Sequence, residues 1–276
     1  MPTALPHSPP LPVLPSQQVW PLHGVAASRQ IEAAALAGTA PHALMQRAGL
    51  MVARLTQALA PPQAGIWVAA GPGNNGGDGL VAARWLQAWG RTVTVSWLGQ
   101  ADHLPDDARD ALAQAQAAGV AIAPGLPTTP HAGWAIDALL GIGAARAPAG
   151  HIAAAIQQLN SSPAPVLAVD LPTGLCADSG RLLGDAAVRA AHTLSLLTLK
   201  PGLFTAQGRD HSGQVWLHTL GQHLDSAPPS AWLSGPPREP ARRHAQHKGS
   251  FGDVLVLAGD AGMGGAALLA ARAALT

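Results

Sequence analysis

Several things are scarce in this chain of 276 residues. It holds one cysteine, Cys176, so no intrachain disulfide framework forms and a reducing compartment is the natural reading. Cys176 itself reads as a small, partly buried residue rather than a nucleophile, because no histidine neighbours it in sequence. Charged residues make up only 11%, the formal net charge is +1, and Lys200 and Lys248 are the two lysines among a mostly arginine set. No basic patch therefore argues for nucleic acid or an anionic membrane. Apolar runs never reach the roughly 18 residues of a membrane span, since Gln, Pro or Gly interrupts each alanine-rich segment. The 12 histidines follow no spaced metal-ligand pattern, which argues against a structural zinc site. Residues 1–15 carry six prolines and no positive region ahead of an apolar core, so they lack the form of a secretory signal. A flexible leader over 1–18 and a cytoplasmic location are expected.

What the chain has is 48% hydrophobic residues, enough for a sizeable core, and an unusual glycine block. Gly71-Pro72-Gly73-Asn74-Asn75-Gly76-Gly77-Asp78-Gly79 follows an apolar strand-like run at 66–70 and precedes a helical pattern at 80–89. Glycines there let backbone N–H groups approach an anion with no Cβ in the way. The spacing Gly71-x-Gly73-x-x-Gly76 satisfies a dinucleotide fingerprint, yet no acid closes the next strand pattern at 92–98, and Asp102 comes late for a ribose contact. A P-loop is excluded because Gly77-Asp78 stands where Lys-Ser or Lys-Thr would be needed.

From residue 65 onward strand and helix patterns alternate. Strands are expected at 66–70, 92–98, 120–123, 134–139, 166–169, 192–197 and 214–217, with helices at 80–89, 106–118 and 151–159. Before them a helix is expected over 41–59, with Leu44, Ala48, Val52, Leu55 and Leu59 on one stripe and Pro41 in its first turn. The pattern predicts an α/β fold, a three-layer αβα Rossmann-like arrangement around a mostly parallel sheet. Ligands of such sheets bind beyond the carboxyl ends of the strands. Two further polar loops fall there: Asp137-Ala138-Leu139-Leu140-Gly141-Ile142-Gly143-Ala144-Ala145-Arg146, and Asp170-Leu171-Pro172-Thr173-Gly174. Residues 222–246, with five prolines, read as a linker. A strand at 253–258 and a glycine turn into an Ala/Leu helix follow, too little for an independent domain, so a truncated second module or one completed by other material is expected.

Together these blocks resemble the NAD(P)H-hydrate epimerase family, the YjeF N-terminal domains, over about residues 19–221. The matching segments are Leu44-Met45-Gln46-Arg47-Ala48-Gly49, the glycine block, 137–146, 170–178, and Lys200-Pro201-Gly202-Leu203-Phe204 through Gly208-Arg209-Asp210. Residues 247–276 look like the opening of an ADP-dependent NAD(P)H-hydrate dehydratase domain, which is ribokinase-like. The resemblance implies repair of NADH and NADPH hydrated at the nicotinamide ring: an isomerase that interconverts the R and S forms at C6 (NADHX, NADPHX). It implies that Asn74, Asn75, Gly76, Gly77 and Asp78, with Gly141, Ile142, Gly143, Ala144, Ala145, Arg146 and Ala147, bind the hydrated dinucleotide, and that Asp170 reaches it too. It further implies one potassium ion on Asn75, Asp137 and Thr173, a substrate contact at Ala266 in the tail, and a homodimer. ADP would serve only the dehydratase part, whose later glycine loop and catalytic acid are missing here, so no dehydratase activity is expected from these residues. Gln46 replaces the family's frequent Glu, and Thr173 its usual Ser, which keeps the hydroxyl.

The chemistry of the residues agrees. Amide, hydroxyl and carbonyl oxygens with one carboxylate suit a hard monovalent cation. Loss and return of the C6 hydroxyl through an iminium needs a group that gives and takes a proton, and Asp170 at a strand end is the expected one; a turn-capping aspartate is its alternative reading. A NAD(P)-dependent dehydrogenase and a non-catalytic scaffold are the competing functions. The dehydrogenase lacks its ribose acid, whereas the scaffold would be expected to lose the polar loop residues present here.

Overall fold

The computed structural model describes residues 8–16, 18–100, 103–129, 131–236, 244, 245, 247, 249 and 252–275. Residues 1–7 of the expected leader, Asp102, Arg242-Arg243, and Lys248, Ser250 and Phe251 of the expected tail block lie outside the described residues. The chain divides into two units, Met1–Pro236 and Pro237–Thr276.

In the first unit, strands β1 (Leu11–Pro12) and β2 (Trp20–Leu22) and helices α1 (Val25–Ala37) and α2 (Ala43–Leu59) precede an alternating series. That series is β3 (Ile66–Ala70), α3 (Asn74–Ala88), β4 (Val93–Trp97), α4 (Asp106–Ala117), β5 (Ala121–Pro124), β6 (Trp134–Ala138), α5 (Gly150–Ser161), β7 (Val166–Val169), β8 (His192–Leu196), α6 (Gly208–Ser212) and β9 (Gln214–His218). A last strand, β10 (Ala231–Leu233), pairs antiparallel with β2. The large sheet has the order β1-β9-β8-β7-β6-β3-β4-β5, and every pairing in it is parallel except that of β1 with β9.

The central strands β3 and β6 are buried at every residue, as parallel strands covered on both faces must be. Alternate residues serve different layers. Val68 and Ala70 pack with Ile136, with Leu44, Val52 and Leu55 of α2 and with α3 and α4, whereas Trp67 and Ala69 pack with Ala155, Ile156 and Leu159 of α5. Each fully buried large side chain contributes about 1.5–3 kcal/mol of transfer free energy, so the two faces jointly fix the register of the sheet.

The expected three-layer αβα arrangement is present, with four departures. Helix α3 begins at Asn74, six residues before the expected start, because the glycines that lower its propensity let it pack where a side chain would not fit. Helix α2 begins at Ala43, after Pro41: His42 takes a left-handed backbone (φ 61°) and its Nδ1 pairs with Asp107 Oδ1 at 2.6 Å. Part of the expected leader is structured, since Leu11 and Pro12 pair with Leu217 and Trp216 and Val13 is buried. Part of the expected linker likewise forms β10, and the division between the two units, after Pro236, falls within that linker.

The second unit contains α7 (Gly265–Ala273). Residues 253–258, expected as a strand, form none, because among the described residues no partner strand completes a ladder with them.

Candidate functional site

From β3 the chain moves to β4 and β5 on one side, and from β6 to β7, β8 and β9 on the other. The crevice between the carboxyl ends of β3 and β6 is therefore the topological switch point, where open α/β sheets bind ligands. A cavity of about 500 Å³ lies there. Its wall includes Asn74, Asn75 and Asp78 from α3, Gly141, Ile142, Gly143 and Ala144 after β6, Asp170 after β7, Lys200 after β8, and Arg29 and Glu32 of α1.

Asp170 ends β7 in a left-handed conformation (φ 68°), which costs a non-glycine residue on the order of 1 kcal/mol. Its N–H donates to Leu194 O at 2.7 Å, and the turn presents the carboxylate to the cavity. Oδ1 accepts from the Lys200 ammonium and from Leu196 N at 3.3 Å. The side chain thus caps no turn of its own loop, contrary to the alternative reading. Among the described residues Oδ2 has no hydrogen-bond partner; Oδ2 and Asn75 Oδ1 each lie 3.4 Å from where a Cβ on Gly141 would sit. Lys200 is buried, and its Nζ also donates to Leu196 O at 2.8 Å and Ser195 Oγ at 3.3 Å.

Asp137 is fully buried beneath this cavity. Oδ1 accepts from Thr173 Oγ1 at 2.7 Å and Leu139 N at 3.2 Å, and Oδ2 accepts from Thr173 N at 2.9 Å. Burial pushes its carboxyl up to about 6, against the opposing pull of the Thr173 and Leu139 hydrogen bonds. Thr173 Oγ1 also accepts from Leu140 N at 3.0 Å, so one hydroxyl joins the loops after β6 and β7. Asn75 Nδ2 is buried with no hydrogen-bond partner. That atom is a donor and cannot itself ligate a cation, but Asn75 Oδ1 in the first turn of α3, the Asp137 carboxylate near the end of β6 and the Thr173 hydroxyl after β7 are oxygens of the kind that fits a hard monovalent cation.

The N-terminus of α3 has no side-chain cap, and its first ladder bond is Gly77 N to Gly73 O at 3.1 Å. The preceding N–H groups and the positive end of the helix dipole are left at the cavity, an anion site worth about 0.3–1 kcal/mol and up to about 2 when partly buried. Asp78 is half-buried, and burial followed by the charges of Asp170, Glu32 and Asp107 holds its carboxyl well above the usual range.

Not every expected residue faces the cavity. Gly76 and Gly77 are buried behind it: a Cβ on Gly76 would lie 2.0 Å from Gly71 O, and one on Gly77 2.6 Å from Met45 Sδ. Their glycine identity is explained by close packing of α3. Ala145, Arg146 and Ala147 line a second, smaller hollow that shares Leu140, Gly143 and Ala144 with the first. Ala266 sits in the first turn of α7, in the second unit. Gln46 accepts from Arg84 at 2.7 Å and donates to Gln114 at 3.3 Å, away from the cavity wall. Lys200 and Glu32 carried no assigned role in the sequence. The block beginning at Lys200 was a signal for the first, whereas Glu32 lies in a helix whose spacing gave none.

Residues 41–202 match the family model described as YjeF-related protein N-terminus. An NAD(P)H-hydrate epimerase from Bordetella bronchiseptica is 44% identical over 182 residues, covering 65% of this chain and 79% of its own length. The bifunctional NAD(P)H-hydrate repair enzyme Nnr of Escherichia coli K12 is 38% identical over 259 residues, covering 88% of this chain. Only 48% of that enzyme is matched, so the chain spans about half the length of the bifunctional relatives. The crystal structure of yeast ynu0 shares the fold, with a TM-score of 0.59 at 23% identity over 66% of this chain and 82% of that one. With more than half its residues inside the family model and most of an epimerase relative covered, this chain belongs to the family of YjeF-related protein N-termini.

Proposed function

We propose that this chain interconverts the R and S epimers of hydrated NADH and NADPH at C6, acting as an isomerase in the repair of nicotinamide cofactors. The observation that carries this reading is Asp170: a carboxylate at the switch point, fastened through Oδ1 and free at Oδ2, beside Asn75 and Gly141. The uncapped start of α3 takes the pyrophosphate, and the Gly141–Ala144 turn seats the nicotinamide half next to Asp170. The hollow at Ala145, Arg146 and Ala147 receives more distant parts of the dinucleotide.

The ring-nitrogen lone pair expels the C6 hydroxyl, which takes up a proton and leaves as water, and a second water returns to the iminium. Asp170 is the group that takes the proton from the returning water, a contribution of about 10²–10⁴ in rate. Asn75, Asp137 and Thr173 would hold one potassium ion, which when bound would keep these three segments in register. Asp137, buried under the Thr173 hydrogen bonds, is spent on this scaffold and does not reach the reacting carbon. Residues 247–276, with Ala266, would belong to an ADP-dependent dehydratase part, as in bifunctional relatives. A cytoplasmic location and a homodimer complete the reading; among the described residues no helix is long and apolar enough to cross a membrane.

The test is to add the protein to the isolated R epimer of NADHX in potassium buffer near neutral pH and follow both epimers by chromatography. Wild type should interconvert them well above a protein-free control, and Asp170→Asn should lose about 100-fold or more while still binding the hydrate. Full activity in Asp170→Asn would remove Asp170 from the mechanism. No acceleration by folded wild type that still binds the hydrate would favour the scaffold.

A further inference from the structure

Inversion at C6 requires hydroxide to leave one face of the ring and water to return to the other. Asp170 approaches from the end of β7 and is fixed there by Lys200 and Leu196 N, so it cannot serve both faces of a ring held in place. The cavity offers a second carboxylate on a different element. Glu32 of α1 lines the same wall, half-buried, and makes no hydrogen bond or ion pair among the described residues.

Its helix is pinned over the Asp170–Lys200 pair. Ser28 Oγ hydrogen-bonds Thr198 Oγ1 at 2.8 Å, two residues before Lys200, and His23 N donates to Leu199 O at 2.8 Å. Glu32 follows Ser28 by four residues and so shares its helix face. On the epimerase reading above, we propose that Glu32 is the second proton-transfer residue, serving the ring face opposite Asp170.

The step balances without a further reactant. The Glu32 carboxylic acid gives its proton to the C6 hydroxyl, the C6–O bond breaks, and its electron pair leaves with the oxygen as water. The ring-nitrogen lone pair forms the C=N bond of an iminium. On the other face a water oxygen bonds to C6, the π pair returns to nitrogen, and Asp170 takes the surplus proton. One water leaves, one enters, and a proton has moved from Glu32 to Asp170, to be returned by the opposite epimer or through solvent.

The surroundings of Glu32 suit an acid that must also release its proton. Burial and then the charge of Asp170 raise its carboxyl, whereas Lys200 and Arg29 pull the other way. Asp78 on α3 also faces it, but lies a turn past the helix end offered to the pyrophosphate. Asp170 bears the Lys200 ammonium directly, whereas Glu32 has no ion-pair partner among the described residues.

The experiment is isotope exchange of each purified epimer in H₂¹⁸O, with wild type, Glu32→Gln and Asp170→Asn, each checked for folding by its thermal transition. Wild type should place solvent oxygen at C6 of the inverted product. Glu32→Gln should lose about 100-fold or more in interconversion. Asp170→Asn should still exchange the hydroxyl of one epimer, faster than a protein-free control and without inversion, through Glu32 alone. Wild-type interconversion by folded Glu32→Gln, or loss of exchange in both epimers in Asp170→Asn, would overturn the proposal. Failure of wild type itself to interconvert the epimers would instead refute the epimerase reading.

Discussion

Lys200 donates to Asp170 Oδ1 from a buried position, with Leu196 O and Ser195 Oγ as its other acceptors. A buried ammonium with three partners is costly to form and more costly to break, because removing one member leaves the others unpaired. Lys200→Met is accordingly expected to lower stability by about 3 kcal/mol in urea unfolding. On the proposed mechanism it should also depress kcat more than KM, because the carboxylate it fixes would act in the chemical step. An unchanged kcat in a folded variant would mean that the pair serves stability alone.

Asp137 gives the fold a distinct pH signature. Its carboxyl rises from 3.8 to about 6 on folding, so between those values the native state binds the proton more tightly than the unfolded chain. The contribution of this carboxyl to stability is then fully present below pH about 4 and falls by on the order of 3 kcal/mol as pH rises through 6. In potassium-free buffer, the difference in unfolding free energy between wild type and Asp137→Asn should shrink over this interval. Potassium, by favouring the ionised carboxylate, should make the wild-type decline shallower than sodium does. A difference that stays flat or grows with pH would contradict this assignment.

The two glycines behind the cavity should respond unequally to alanine. A Cβ on Gly76 meets a backbone oxygen, Gly71 O, at 2.0 Å, whereas one on Gly77 meets the end of a flexible side chain, Met45 Sδ, at 2.6 Å. Gly76→Ala is expected to cost about 3 kcal/mol or more, and Gly77→Ala about 1–2 kcal/mol, measured by urea midpoints at constant m. Equal costs would show that α3 can slide as a body.

Much of this was readable in advance where periodicity and chemistry coincide. The strand patterns at 66–70, 134–139 and 166–169 placed Asn75, Asp137, Asp170 and Thr173 at or just beyond strand ends on one sheet edge, and the structure brings those segments together. The start of α3 was not readable, because Asn74 and four glycines within the seven residues 73–79 favour a turn locally, and only the close packing of Gly76 and Gly77 reveals a helix. Glu32 was hidden for a different reason. A lone acid in an alanine-rich helix carries no periodic signal, and its meaning arises from the Ser28–Thr198 contact, 170 residues apart in sequence. The proline-rich segments around Leu11 and Trp232 pair only with distant partners, so composition suggested leader and linker where short strands form.

Both outer strands of the large sheet contain proline: Pro12 in β1 and Pro124 in β5. Proline brings no N–H, so neither flank can present an uninterrupted row of donors to another molecule's strand. With two residues in β1 and four in β5, both rims of the sheet are short as well. Short rims that carry proline are poor templates for edge-to-edge pairing with another molecule.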